Sequence, residues 1–171
     1  MARAREIPTV DVKAGLAALE EDLPRVLRVL DAPSIDALGW TRPTKLSLLI
    51  PMTGTMSGKV DRFVLRLGFQ AYRAWPPSAQ FVNPDTGAYI YPDDQSHVPK
   101  LTSPECQTHA VYQQHQGAEK RQLICCSATL EFYEVLHGVE PHHVWRDSDT
   151  FLTTITAIRK ALASSYQGRF P

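Results

Sequence analysis

Phe69-Gln-Ala-Tyr72-Arg-Ala-Trp75-Pro76-Pro77-Ser-Ala-Gln-Phe81 is the stretch on which the fold turns. Adjacent prolines have a fixed φ and no amide donors, so Pro76 and Pro77 cannot sit inside a paired strand. They also hold the residue before them extended, which predicts a stiff crossing between two strands. Tyr72 and Phe81 are the side chains available to fill the space beneath it. The flanks agree. Upstream, residues 60–69 alternate, with Phe63, Leu65, Leu67 and Phe69 on one face, which predicts a half-buried strand. Residues 44–53 predict its hairpin partner, with Gly54 to Lys59 as the turn. Downstream, Ala79 to Val82 predicts a further short strand.

Working outward, Val12, Leu16, Leu19, Leu23, Val26, Leu27 and Leu30 recur at helical spacing. They predict an amphipathic helix over 11–31, capped by Asp11, kinked or split at Pro24 and ended by Pro33. Phe151, Leu152, Ile155, Ile158 and Leu162 predict a C-terminal helix capped by Ser148 or Asp149. Residues 83–104, rich in Pro, Asp, Ser and Gly, read as a long loop of the kind that is often functional. Two readings compete downstream of it. Residues 107–116 and 121–136 form a hairpin turning at Gly117 to Lys120, or Ser127 to Gly138 forms a short helix. Residues 164–171 carry no predicted element. With no internal repeat and no linker, one domain spanning 1–171 is expected.

Composition limits the function. The chain has 171 residues, 43 % of them hydrophobic and 21 % charged, as in a globular domain with its own core. Its 18 basic and 18 acidic residues cancel, which argues against a dedicated nucleic-acid binder. No apolar run approaches the roughly 18 residues that span a bilayer, so no membrane partner is expected. Met1-Ala-Arg-Ala-Arg-Glu has no apolar stretch behind it and does not read as a secretory signal. Three cysteines, two of them adjacent, make a disulfide framework unexpected and point to a reducing cytoplasm.

Two motifs carry a resemblance. Tyr72-x-x-x-Pro76-Pro77-x-x-x-Phe81 is similar to the Tyr-Pro-x-x-Pro-Pro-x-x-x-Phe segment of ubiquitin-conjugating enzymes. His115 precedes Cys125 by ten residues, as the family's His-Pro-Asn motif precedes its nucleophilic cysteine. Ile124 fits the apolar residue before that cysteine. Trp145, with a helix after it, resembles the tryptophan and helix on the C-terminal side of the family's active site. Arg73 stands in place of the proline after Tyr72, and Gly117 in place of the asparagine. The resemblance covers roughly residues 11–163. It implies an α+β fold in which an N-terminal and a C-terminal helix pack on an antiparallel meander sheet. It also implies an enzyme: Cys125, or its neighbour Cys126, would accept a ubiquitin-like protein from a ubiquitin-activating-like enzyme as a thioester and pass it to an amine. His115 would shape the site, and the N-terminal helix would dock the activating enzyme. A divergent bacterial member, encoded beside a ubiquitin-like protein and its activating enzyme, would show this pattern.

A metal site competes with that reading. If the hairpin turns at 117–120, facing residues sum to about 237, and Cys106 lies opposite Glu131. His137, His142 and His143 can fold back on that end. Cys106, Glu131, His137 and His143 would then offer zinc the sulfur, oxygen and nitrogen ligands it takes tetrahedrally. This set resembles the Cys, Glu, His, His hallmark of a predicted metal-binding family found beside bacterial ubiquitin-like genes. It implies a non-catalytic zinc-binding partner protein in the same pathway.

Overall fold

The computed structural model describes residues 8–135 and 140–171. It is an α+β arrangement of an N-terminal helix, two antiparallel sheets and a C-terminal helix. Helix α1 (Val12–Val29) begins where Asp11 accepts the Ala14 amide at 2.9 Å, and it runs through Pro24 without being split. Its inner face is Gly15, Leu19, Asp22 and Val26. Gly15 is required by contact: a Cβ there would stand 2.0 Å from the carbonyl oxygen of Phe69. The Asp11 amide donates to Gln70 O at 2.9 Å, so the start of α1 lies directly on the chain leaving the first sheet.

That sheet contains β1 (Thr41–Thr44), β2 (Ser47–Met56), β3 (Lys59–Gly68) and β4 (Ser78–Val82), paired in sequence order. Leu48, Ile50 and Met52 face Leu67, Leu65 and Phe63, which sets the apolar face. The β2–β3 turn is shorter than the sequence suggests. Only Ser57 (φ 52°) and Gly58 (φ 77°) form it, the paired positive φ of a two-residue hairpin loop. Gly54 lies within β2, where the Tyr166 ring covers it so closely that a Cβ would come within 2.7 Å.

The crossing from β3 to β4 is the Pro76–Pro77 segment, and Tyr72 and Phe81 are both buried beneath it. Tyr72 does more than fill space. Its hydroxyl donates to Asp22 Oδ2 at 2.6 Å and accepts the Phe151 amide at 3.0 Å. Burial, reinforced by Asp22, pushes its phenol far above the ordinary value. Arg73 donates to both Asp22 oxygens from Nε (2.9 Å) and Nη2 (3.1 Å), and its carbonyl accepts Trp145 Nε1 at 2.9 Å.

Residues 83–104 are not all loop. They include β5 (Pro99–Ser103), which joins β6 (Cys106–Tyr112), β7 (Arg121–Cys126) and β8 (Tyr166–Arg169) in a second sheet of order β7-β6-β5-β8. Both competing readings of residues 107–136 hold in part, because the β6–β7 hairpin is followed by the short helix α2 (Leu130–Glu134). The final helix α3 (Phe151–Ser165) is capped by Thr150 rather than by Ser148 or Asp149, and it packs on β5 and β2. The tail folds back as β8. Tyr166 donates its hydroxyl to Asp61 at 2.7 Å, and Arg169 Nη2 donates to Arg62 O at 2.8 Å. The second sheet is thus an addition to the single meander read from the sequence.

A side chain joins the two sheets. Gln122 on β7 is buried, accepts the Phe81 amide at 2.7 Å and donates to the Phe81 carbonyl at 2.8 Å. Its carboxamide does for β4 what another strand would do. Gln122→Leu keeps the packing and removes both bonds, leaving a buried donor and acceptor unpaired. A loss of about 2 kcal/mol is expected in urea unfolding, since each orphaned group costs about 1–3 kcal/mol.

Candidate active site

The register of β6 and β7 decides which cysteines meet. Cys106 pairs with Cys126, Gln107 with Cys125 and His109 with Leu123. This corrects the expectation that Cys106 lies opposite Glu131. Facing residues project from the same side of a sheet, so Cys106 and Cys126 share the inner face and Cys125 points outward. Cys106 and Cys126 are buried, Cys125 is half-buried, and all three thiols are free.

β7 stops at Cys126 because the chain turns there. The Thr129 amide and hydroxyl both donate to Cys126 O, at 2.9 and 2.8 Å. Thr154 of α3 donates to Ala128 O at 2.6 Å and pins the turn to the helix. The approach to α3 crosses above it. The His143 amide donates to Ser127 Oγ at 3.0 Å, and the His143 ring meets Asp149 Oδ2 at 2.8 Å through Nε2. Asp149 Oδ2 also accepts the Arg146 amide at 2.8 Å. These elements enclose a cleft of about 540 Å³ lined by Cys106, Cys126, Ser127, His143, Asp149 and Lys160, among others.

The electrostatics separate the three thiols. The facing Cys106 thiol holds the Cys126 thiol below its ordinary value. Burial works against that shift, and the Ala128 amide supports it. The same neighbour, together with burial, pushes Cys106 well up. Burial, then the neighbouring Cys126, pushes Cys125 up. Burial also opposes ionisation of Asp149, but His143 and the Arg146 amide outweigh it and hold the carboxyl below the usual range. With Asp149 ionised, His143 donates from Nε2, which leaves Nδ1 of a neutral ring as the proton-accepting atom. A thiol of lowered pKa and an oriented imidazole lining one cleft are the parts that thiol acyl transfer uses.

Of the residues singled out in the sequence, Cys106, Cys126, His142 and His143 are brought to this cleft. Cys125 is on the opposite side of β7. His115 is exposed in the loop beyond Tyr112, at the end of the hairpin remote from Cys126, with Nδ1 3.1 Å from Gln116 O. Five residues of β7 separate that loop from Cys126, about 17 Å along a strand. Glu131 turns its carboxylate to β4, where it accepts the Ser78 hydroxyl and the Ala79 amide (3.1 Å), and burial raises its pKa. His137 lies outside the described residues. Among the described residues no group of three or more His, Cys, Asp and Glu side chains is gathered to hold a metal ion. Nor is any described helix long and apolar enough to cross a membrane.

Sequence reasoning missed Asp149, which it read only as a helix cap, and the pairing of Cys106 with Cys126. The signal for the pairing was the loop length of the hairpin. No family model, curated protein or solved structure matches the chain.

Proposed function

We propose that the protein is a ubiquitin-conjugating-enzyme-like carrier that holds a ubiquitin-like protein as a thioester on Cys126. The observation that carries this is a cleft that gathers Cys126 with His143, whose ring is held by Asp149 at 2.8 Å; the lowered Cys126 thiol agrees with it. The order of elements supports the family reading. A helix precedes a four-stranded meander, Pro76–Pro77 lies in the crossing to its last strand, and Trp145 and α3 come after the thiol. The second sheet, whose strand β7 ends on the thiol and whose strand β8 follows α3, departs from the family's order.

Charging is a thiol exchange. The Cys126 thiolate attacks the thioester carbonyl of a ubiquitin-like protein held on its activating enzyme. A new S–C bond forms, and the activating enzyme's thiolate leaves with the proton given up by Cys126. In discharge, a target amine attacks the Cys126 thioester, an amide forms and the Cys126 thiolate leaves. His143 Nδ1 accepts the amine's proton. A thiolate is a competent nucleophile and leaving group, so a modestly lowered pKa suffices.

The test is a charging assay with ubiquitin-like protein, its activating enzyme and ATP, read on a non-reducing gel. Wild-type chain is expected to form an adduct that thiol reagents cleave. Cys126→Ser is expected to form no thiol-cleavable adduct, while Cys125→Ser charges as wild type does. A thiol-cleavable adduct that survives Cys126→Ser and disappears in Cys125→Ser overturns the assignment.

A further inference from the structure

The cleft holds a second sulfur that acyl transfer does not consume. Cys106 opens β6, Cys126 closes β7, and the two face each other across the ladder. Facing residues in an antiparallel pair have Cα atoms about 4.5 or 5.5 Å apart, and both spacings fall within the roughly 4.4–6.8 Å that a disulfide spans. No strand need move for the two sulfurs to bond. Facing residues project from the same side of the sheet, and both side chains are buried there, so the two thiols are neighbours. Cys125 cannot compete, because it projects from the other side of β7 opposite the exposed Gln107. Both residues also line the cleft of about 540 Å³.

We infer that Cys106 and Cys126 form a reversible oxidative modification site that closes to a disulfide by exchange with a low-molecular-weight disulfide such as glutathione disulfide. The Cys126 thiolate attacks one glutathione sulfur, the S–S bond of glutathione disulfide breaks, and one glutathione thiolate leaves. Cys106 gives up its proton and attacks the Cys126 sulfur of the mixed disulfide, and the second glutathione thiolate leaves. Two protein thiols are oxidised, and one glutathione disulfide is reduced to two glutathione molecules. The closed form has no thiolate on Cys126 and cannot be charged. That consequence rests on the carrier reading; the disulfide itself does not.

The experiment uses the full chain and glutathione disulfide alone, so it is independent of the charging assay. Intact mass and peptide mapping after alkylation are the readouts. Wild type is expected to lose two hydrogen atoms in mass, to yield a linked Cys106–Cys126 peptide, and to keep only Cys125 alkylatable until dithiothreitol restores all three thiols. Cys106→Ser, and Cys106→Ala as a second replacement, are expected to stop at a glutathione adduct on Cys126. If wild type accumulates glutathione adducts without an internal link, or links through Cys125, the inference fails. These wild-type outcomes decide the matter even where a Cys106 variant folds poorly.

Discussion

Asp22→Ala is expected to cost about 3 kcal/mol of folding stability, because removing one member of a buried charged network strands the others. Asp22 has no exposed surface. Its carboxylate accepts from Tyr72, from Arg73 twice, and from Arg25 at 3.0 Å. The donors differ in what they lose. Arg25 is half exposed and returns to water, and Arg73 keeps Glu21 at 2.9 Å. The Tyr72 hydroxyl, 2 % exposed as a residue, has nowhere else to donate. Tyr72→Phe removes that donor, so the double variant is expected to lose less than the sum of the two single losses in urea unfolding. Strict additivity would show that the Tyr72–Asp22 bond contributes nothing. The change should also be felt at the cleft. Tyr72 holds the first amide of α3 and Arg73 holds Trp145, the residues that flank the Asp149 turn. Alkylation of Cys126 is therefore expected to quicken in folded Asp22→Ala protein.

Gly15→Ala is expected to destabilise by about 3 kcal/mol, at the upper end of overpacking costs, although alanine is the better helix former by about 1 kcal/mol. Intrinsic preference alone predicts the opposite sign. The difference is the Phe69 carbonyl, which an added methyl would meet at 2.0 Å; backbone at that distance cannot swing aside as a side chain can. Relief requires α1 to lift from the chain around Gln70 and to loosen the packing of Leu19 and Val26. Ala17→Gly, at an exposed position of the same helix, is the control and should cost only about 1 kcal/mol. If Gly15→Ala stabilises the protein in thermal and urea unfolding, the close seating of α1 is wrong.

Local chemistry made much of the fold legible. Asp11 caps its own helix, and β3 announces itself by the alternation of Phe63, Leu65 and Leu67 over one apolar face. Long-range choices were hidden. Reading Gly117 to Lys120 as a tight turn sets the hairpin sum at about 237, whereas Tyr112 pairs with Arg121 and a register shift between His109 and Tyr112 moves the pairing by one more, so Cys106 and Cys126 sum to 232. That slip of five moves Cys106 from Glu131 to Cys126 and exchanges one candidate chemistry for another. β5 and β8 escaped notice for different reasons. β5 pairs locally with β6, Ser103 facing Cys106, inside a stretch whose composition reads as loop; β8 is four residues long and finds its partner across more than 60 residues, as in Leu101 with Tyr166. No local pattern records such a pairing. The cleft was half visible: Cys126 and His143 stood out as reactive residues, but their shared location depends on how 127–129 and 142–149 fold together.

The β5–β8 pairing also has a consequence during synthesis. β8 comes after every element it joins, so a nascent chain carries an open strand edge on β5 until residues 166–169 have been translated. At roughly 5–20 residues per second, the stretch from β5 to β8 keeps that edge unpaired for several seconds. An unpaired edge is a template for another strand. Pro99 and Lys100, a residue without an amide donor and a charge, sit on that edge and blunt it while the ribosome finishes the helix that precedes β8.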